Sequence, residues 1–407
     1  MAGLTATFDQ VNHYLWHRQG FQQALESAPI NLFGDVFGIY ATAPTCYLTL
    51  LARHRDFRFT DLLRAVEDER QAVRMRGMRY SNFLIPVRLL PALFQAVKRD
   101  PENPIIQMRK LGITDADYEN TAEVVHQIVD GQTMTASEIR KALPVEVVER
   151  FGGALSYLYP QMCADGRLVR AKVRGGWKSD LYEYAVWDQW LPGVDLNSIS
   201  REGGQVILAQ EYFNSYGPAT PADLQWWSGF SKADTSRAIA VLGDELTRID
   251  VDGTEHMILA SRVDDLLTTL ASTDQPKEVR LLPVWDAYLM AYRDRTRYLP
   301  DERYGYIYDR GGNSTFVLLI DGKLGGVWDM AEDKKTLVIK AVMFDRSDNS
   351  AWQQLRDEGM RLAKSAGYSS TRVLRCESAP ILREGSQNLF LSPLKDVPGE
   401  TTFESTI

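Results

Sequence analysis

The sequence predicts an α+β protein: tandem winged-helix (helix-turn-helix) domains followed by a β-barrel-like C-terminal domain. The first observation behind this is a repeat. The order helix, short helix, helix and hairpin occurs between Asp115 and Val186 and again between Gly204 and Leu259, the order of a winged helix. The second is a change of texture after Gln275-Pro276-Lys277, where strand-like runs take over. The third is size, since 407 residues exceed what one core accommodates. The expected division is 1–110, a winged-helix-like domain with the candidate site; 111–195 and 196–275, two further winged helices; 276–396, a β-rich domain; and 397–407, a frayed polar tail.

Taken in order, Thr7 to Gly20 reads as a helix, with Phe8, Val11 and Leu15 on a 3.6-residue period. His13 and His17 have zinc-protease spacing, but no glutamate stands between them and no metal is expected. Phe37 to Thr45 mixes small, polar and apolar residues, and Pro44 biases Ala43 away from helix, so this stretch is strand or turn entering a helix at about Cys46. In an extended backbone Tyr40 and Thr42 project from one side and present two polar groups to one ligand; otherwise they are a buried tyrosine and a turn threonine. Phe59 to Glu69 is a short amphipathic helix with Thr60 as its cap.

Val73 to Tyr80 alternates as a strand and carries Arg74, Arg76 and Arg79, which either grip a DNA backbone or pair with Glu67, Asp68 and Glu69. Asp115 opens a helix that runs to Asp130-Gly131, and Thr135 with Glu138 forms a capping box. A turn at Phe151-Gly152-Gly153 leads to a helix ended by Gly166, and then to a hairpin basic at Arg170, Lys172 and Arg174. In the second copy Thr220-Pro221 and Ser231 open helices, and Asp252-Gly253 turns the hairpin. In the β-rich part Asp321-Gly322 joins two strands, and Asp348 opens a helix through Trp352, Leu355 and Leu362.

Composition narrows the function classes. With 44% hydrophobic and 25% charged residues the chain is an ordinary globular protein. It has no apolar run of the ~18 residues that suggest a membrane span, and no basic-then-apolar start, so a cytoplasmic protein without membrane contact is expected. Three scattered cysteines exclude a disulfide framework and a cysteine-rich zinc site. A net charge of −8 argues against an indiscriminate nucleic-acid coat, yet nine arginines face five acids between Arg53 and Arg88, and five basic residues face none between Arg167 and Lys178.

Three stretches together carry a family resemblance: Gly217 to Ser231, Leu281 to Leu289 with Arg293-Asp294-Arg295, and Leu319 to Trp328. On these the chain resembles the AlkZ/YcaQ-type DNA glycosylases over nearly its whole length. The resemblance implies tandem winged helices with a C-terminal β-barrel domain, and a monofunctional N-glycosylase that needs no cofactor. It also implies double-stranded DNA as partner. The family's catalytic Gln-x-Gln or Gln-x-Asp falls on Tyr40 and Thr42, so the chain departs from the pattern there. The expected function is hydrolysis of the N-glycosidic bond of bulky or crosslinking alkylated purines by a monomer, with Tyr40 and Thr42 catalytic and Arg74, Arg76, Arg79, Arg170, Lys172 and Arg174 on DNA. The alternatives are a non-catalytic DNA-binding protein and a winged-helix module that docks proteins.

Overall fold

Short polar side chains set the helix starts. Thr7, Thr114, Thr135 and Thr220 each accept the amide three residues on, while Gln10, Asp117, Glu138 and Asp223 return the bond to the cap. Ser231 and Asp348 cap in the same way without the return bond. At Phe59 the expected Thr60 cap is replaced, because the Asp61 carboxylate accepts the Arg58 amide at 2.8 Å and the helix therefore begins at Phe59, two residues before a Thr60 cap would start it. The computed structural model describes residues 4–22, 33, 36–99, 101–271, 278–345 and 348–407. The expected boundary at Gln275-Pro276-Lys277 lies outside the described residues.

The elements form a mixed α+β fold that divides into two compact units. One comprises Met1–Tyr40, Pro44–Asp61 and Ala209–Ile407, the other Ala41–Ala43 and Leu62–Leu208.

In the second unit, helices Asp115–Val129, Ala136–Ala142 and Leu155–Ala164 bury Tyr118, Val125, Ile139, Leu158 and Met162 in one core with Leu168 and Val186. Strands Leu168–Arg174 and Leu181–Val186 follow as an antiparallel hairpin, with Met134–Thr135 paired to its outer strand. The inner strand pairs with Ala72–Arg76, whose own partner is Asn82–Pro86. The strand expected over 73–80 therefore stops at Arg76, and the chain reverses over Met78–Tyr80.

In the first unit, helices Pro221–Ser228 and Lys232–Leu242 precede the hairpin Leu246–Val251 and Thr254–Leu259. Asp252 and Gly253, at φ 47° and 82°, make its left-handed turn. Thr5–Ala6 lies parallel to the first strand of this hairpin, just before the helix Phe8–Arg18.

The β-rich part is one sheet of six strands in chain order: Val279–Leu282, Val317–Ile320, Lys323–Asp333, Thr336–Met343, Ser370–Cys376 and Gly399–Thr406. The expected β-barrel-like domain is corrected here, since among the described residues the two outer strands do not pair and no barrel closes. The physical reason is the parallel step from Thr336–Met343 to Ser370–Cys376, which needs a crossover. That crossover is the helix Asn349–Ser365, and its buried Trp352, Leu355 and Leu362 cover the sheet face that a closed barrel would fill with its own side chains. Gly359 lets the helix approach closely, because a Cβ there would meet Ile339 at 3.0 Å. The expected frayed tail is corrected as well: Gly399–Thr406 pairs antiparallel with Ser370–Cys376, its threonines and Phe403 suiting an edge strand.

Candidate functional site

Ile39–Tyr40 is a two-residue strand, and the helix Thr45–Leu51 begins behind Pro44 with every side chain buried. Tyr40 closes its strand and belongs to the first unit. Thr42 sits in the bend that follows and belongs to the second, so of the strand and turn left open for this stretch Tyr40 takes the strand and Thr42 the turn. The bend is held on either side of Thr42: the Ala41 amide donates to Asn82 O at 2.9 Å, and the Ala43 amide donates to the Asp180 carboxylate at 3.0 Å. Both Tyr40 and Thr42 are half-buried.

The helix behind this segment is tied to a distant part of the chain by a buried ion pair. Arg53 donates twice to the Asp286 carboxylate, each bond 2.8 Å long, and its guanidinium also reaches Thr49 O and Gln19 Oε1. Asp286 has no exposed surface and accepts the Tyr288 amide too. Thr45 Oγ1 adds a bond to Val284 O at 3.0 Å.

Between Val284 and Asp286 stands Trp285, at φ 55°, a conformation that bulky side chains rarely adopt. Its amide donates to Ser314 Oγ and its indole to Asn313 Oδ1, both at 3.0 Å, while Asp309 holds Asn313. The Tyr40 ring stacks on this indole, with centroids 6.2 Å apart and planes 23° apart, and Phe390 packs against it at 5.5 Å. Tyr40 is thus the outer ring of a braced aromatic stack. Composition and periodicity did not single out Trp285; the signal available was its place in the Leu281 to Leu289 motif, which came without a role.

The six basic residues expected on DNA all lie in the second unit and separate by burial. Arg74 and Arg170 face each other across the paired strands and are only 2% and 9% exposed, with both guanidiniums over the Tyr182 ring at 5.7 and 6.0 Å. Arg74 lies 4.0 Å from Glu67, whose carboxyl is pushed up by burial and held back by the Val173 amide and Arg74 itself. These two arginines are thus packed inside the sheet and not displayed on its surface, where a DNA backbone was expected to meet them. They are covered because the 72–86 hairpin pairs with the 168–186 hairpin, a contact no local pattern announces. Arg76 is part-buried, 3.6 Å from Glu102. Arg174 is exposed but engaged by Glu183 and by Glu138 at 3.2 Å. Lys172 and Arg79 are exposed.

His13 and His17 face each other through Nε2 atoms 3.1 Å apart. Among the described residues no group of three or more His, Cys, Asp or Glu side chains is placed to hold a metal ion. No described helix is long and apolar enough to cross a membrane.

Comparison with known proteins places this geometry. The family model described as DNA glycosylase AlkZ-like matches residues 34–365. The chain is 24% identical over 277 residues to an interstrand DNA cross-link repair glycosylase of Streptomyces sahachiroi, covering 65% of this chain and 71% of that protein. The solved structure of Streptomyces sahachiroi DNA glycosylase AlkZ matches it in fold with a TM-score of 0.72 at 20% identity, over 91% of this chain and 100% of that one.

Proposed function

The chain belongs to the AlkZ-like DNA glycosylase family, and from that premise we propose that it hydrolyses the N-glycosidic bond of bulky or crosslinking alkylated purines in double-stranded DNA. The observation that carries this reading is the reach of the family match. It spans both the Tyr40 segment and the Trp285-Asp286 turn, and the buried Arg53–Asp286 pair joins the two. The relative from Streptomyces sahachiroi is named for interstrand cross-link repair, which supports crosslinking adducts as the substrate class.

Cleaving this bond builds positive charge on the sugar, and water must meet the anomeric carbon. The Thr42 hydroxyl orients that water by donating one hydrogen bond and accepting another, but it is a feeble base. Tyr40, backed by Trp285, supplies a flat ring beside the reacting nucleotide. Neither side chain bears the amide or carboxylate that would balance the sugar cation. The chemistry therefore suits lesions whose leaving group is already activated, such as cationic N7-alkylpurines, and neutral lesions survive. The helix-and-hairpin units at 115–186 and 204–259 act as winged helices along the duplex, in a cytoplasmic monomer.

The test is abasic-site formation on duplex carrying an N7-alkylguanine or an interstrand crosslink. Wild type is expected to exceed spontaneous depurination. Thr42→Ala should lower the rate about tenfold, and Tyr40→Gln with Thr42→Gln should raise it by a similar factor, below the ~100-fold or more that a full acid–base group contributes, because the hydroxyl is a feeble base. The missing amide pair favours one second reading, a DNA-binding protein without catalysis. Under it the duplex is bound, no abasic sites form, and the double glutamine variant alone gains activity.

A further inference from the structure

The hairpin of strands Ala72–Arg76 and Asn82–Pro86 turns in an unusual way. Gly77 N donates to Ser81 O at 2.8 Å and Ser81 N to Met78 O at 3.1 Å, which leaves Arg79 and Tyr80 as the central pair at φ 51° and 65°. Left-handed conformation at both positions is what Asn-Gly or Gly-Gly provide without strain, and here an arginine and a tyrosine hold it. The Tyr80 ring is nonetheless 45% exposed, so burial does not repay the strain. Cations surround it. The Arg76 and Arg99 guanidinium carbons lie 5.0 and 4.8 Å from the ring centroid, and Arg99 Nη1 donates to the phenol oxygen at 2.8 Å.

We infer that this hairpin tip is a DNA-engaging element, in which Tyr80 stacks into a weakened base step of the duplex while the exposed Arg79 and Arg99 meet the flanking phosphates and Arg76, held by Glu102, backs the ring. The inference rests on the DNA-repair reading and adds the surface by which the duplex is gripped. A two-stranded ribbon is narrow enough to enter a groove. Exposed aromatic tips wedge or stack where bases have come apart. Guanidiniums suit phosphate oxygens, and their contact with the ring pre-orders it so that little freedom is lost on binding. Strain retained at an exposed, cation-rimmed tip marks a position chosen for its side chains rather than for its turn.

The experiment uses the full chain and a short duplex with 2-aminopurine beside an abasic-site analogue. Wild type is expected to bind at low salt and quench the 2-aminopurine. Tyr80→Ala and Tyr80→Asn should each weaken binding about tenfold and remove the quench, whereas Tyr80→Trp keeps both. Asparagine tolerates the left-handed turn, so Tyr80→Asn should keep or raise the melting temperature, which separates a lost contact from a lost fold. Quenching and affinity unchanged in Tyr80→Ala overturn the inference and leave the glycosylase reading standing. Wild type that binds no duplex at all overturns both.

Discussion

A carboxylate with no exposed surface must be answered where it sits, and Arg53 answers Asp286 with two bonds of 2.8 Å. Removing one member strands a buried charge, so Asp286→Ala is expected to lose about 3–5 kcal/mol in urea unfolding, while Arg53→Met combined with Asp286→Leu recovers much of that loss. Equal loss in the single and double variants would show that the pair holds nothing beyond its packing. Buried tyrosines give a second residue-scale prediction. Burial pushes the phenols of Tyr14, Tyr159, Tyr184 and Tyr308 from 10.0 up to about 12. The folded state therefore holds these protons after the unfolded chain has released them. Their contribution is complete below pH 10 and is lost as the pH rises toward about 12. Because exposed phenols contribute no such step, alkaline unfolding followed by circular dichroism should coincide with a separate, late rise in phenolate absorbance; a phenolate signal already complete before the chain unfolds would contradict it. Arg53 and Asp286 both lie in stretches the sequence marks out, but they stand 233 positions apart and no pattern says that they pair.

Single elements were legible wherever one residue decides local geometry. Thr135, Thr220, Ser231 and Asp348 cap their helices because a hydroxyl or carboxylate in reach of an orphan amide works in any context. Thr220→Ala should cost about 1 kcal/mol by thermal unfolding, and a neutral result would mean that Asp223 satisfies the helix start alone. The turns at Asp252-Gly253 and Asp321-Gly322 were legible for the same reason. The turn at Arg79-Tyr80 was not, since neither residue favours positive φ, and the alternation of Val73 to Tyr80 reads through it as one strand. The first four strands of the C-terminal sheet were legible, but Ser370–Cys376 and the edge strand Gly399–Thr406, expected as a frayed tail, were not, and the sheet's open form depends on where the Asn349–Ser365 helix packs, which is a long-range fact. At the candidate site, Tyr40 and Thr42 were found by their place in a motif, and the Trp285 stack under Tyr40 needed the fold to appear.

At the scale of the whole molecule, a net charge of −8 has to coexist with a polyanionic partner, so attraction must come from local clusters and not from the sum. Burial decides which cations can contribute. Lys172 and Arg79 are exposed, whereas Arg74 and Arg170 are sealed against the Tyr182 ring. Each phosphate neutralised by an exposed cation releases counterions, so affinity for duplex should fall steeply with salt, and Lys172→Gln or Arg79→Gln should each flatten the logarithmic slope by about 1. Arg74→Gln and Arg170→Gln should leave that slope alone and lower the melting temperature instead, because what they lose is a brace between two hairpins. Were Arg74→Gln to flatten the slope with no loss of stability, the paired hairpins would have to part on the duplex and expose their arginines. Affinity indifferent to salt in the wild type would remove the phosphate backbone as partner and, with it, any reason for the exposed cations at the hairpin tips.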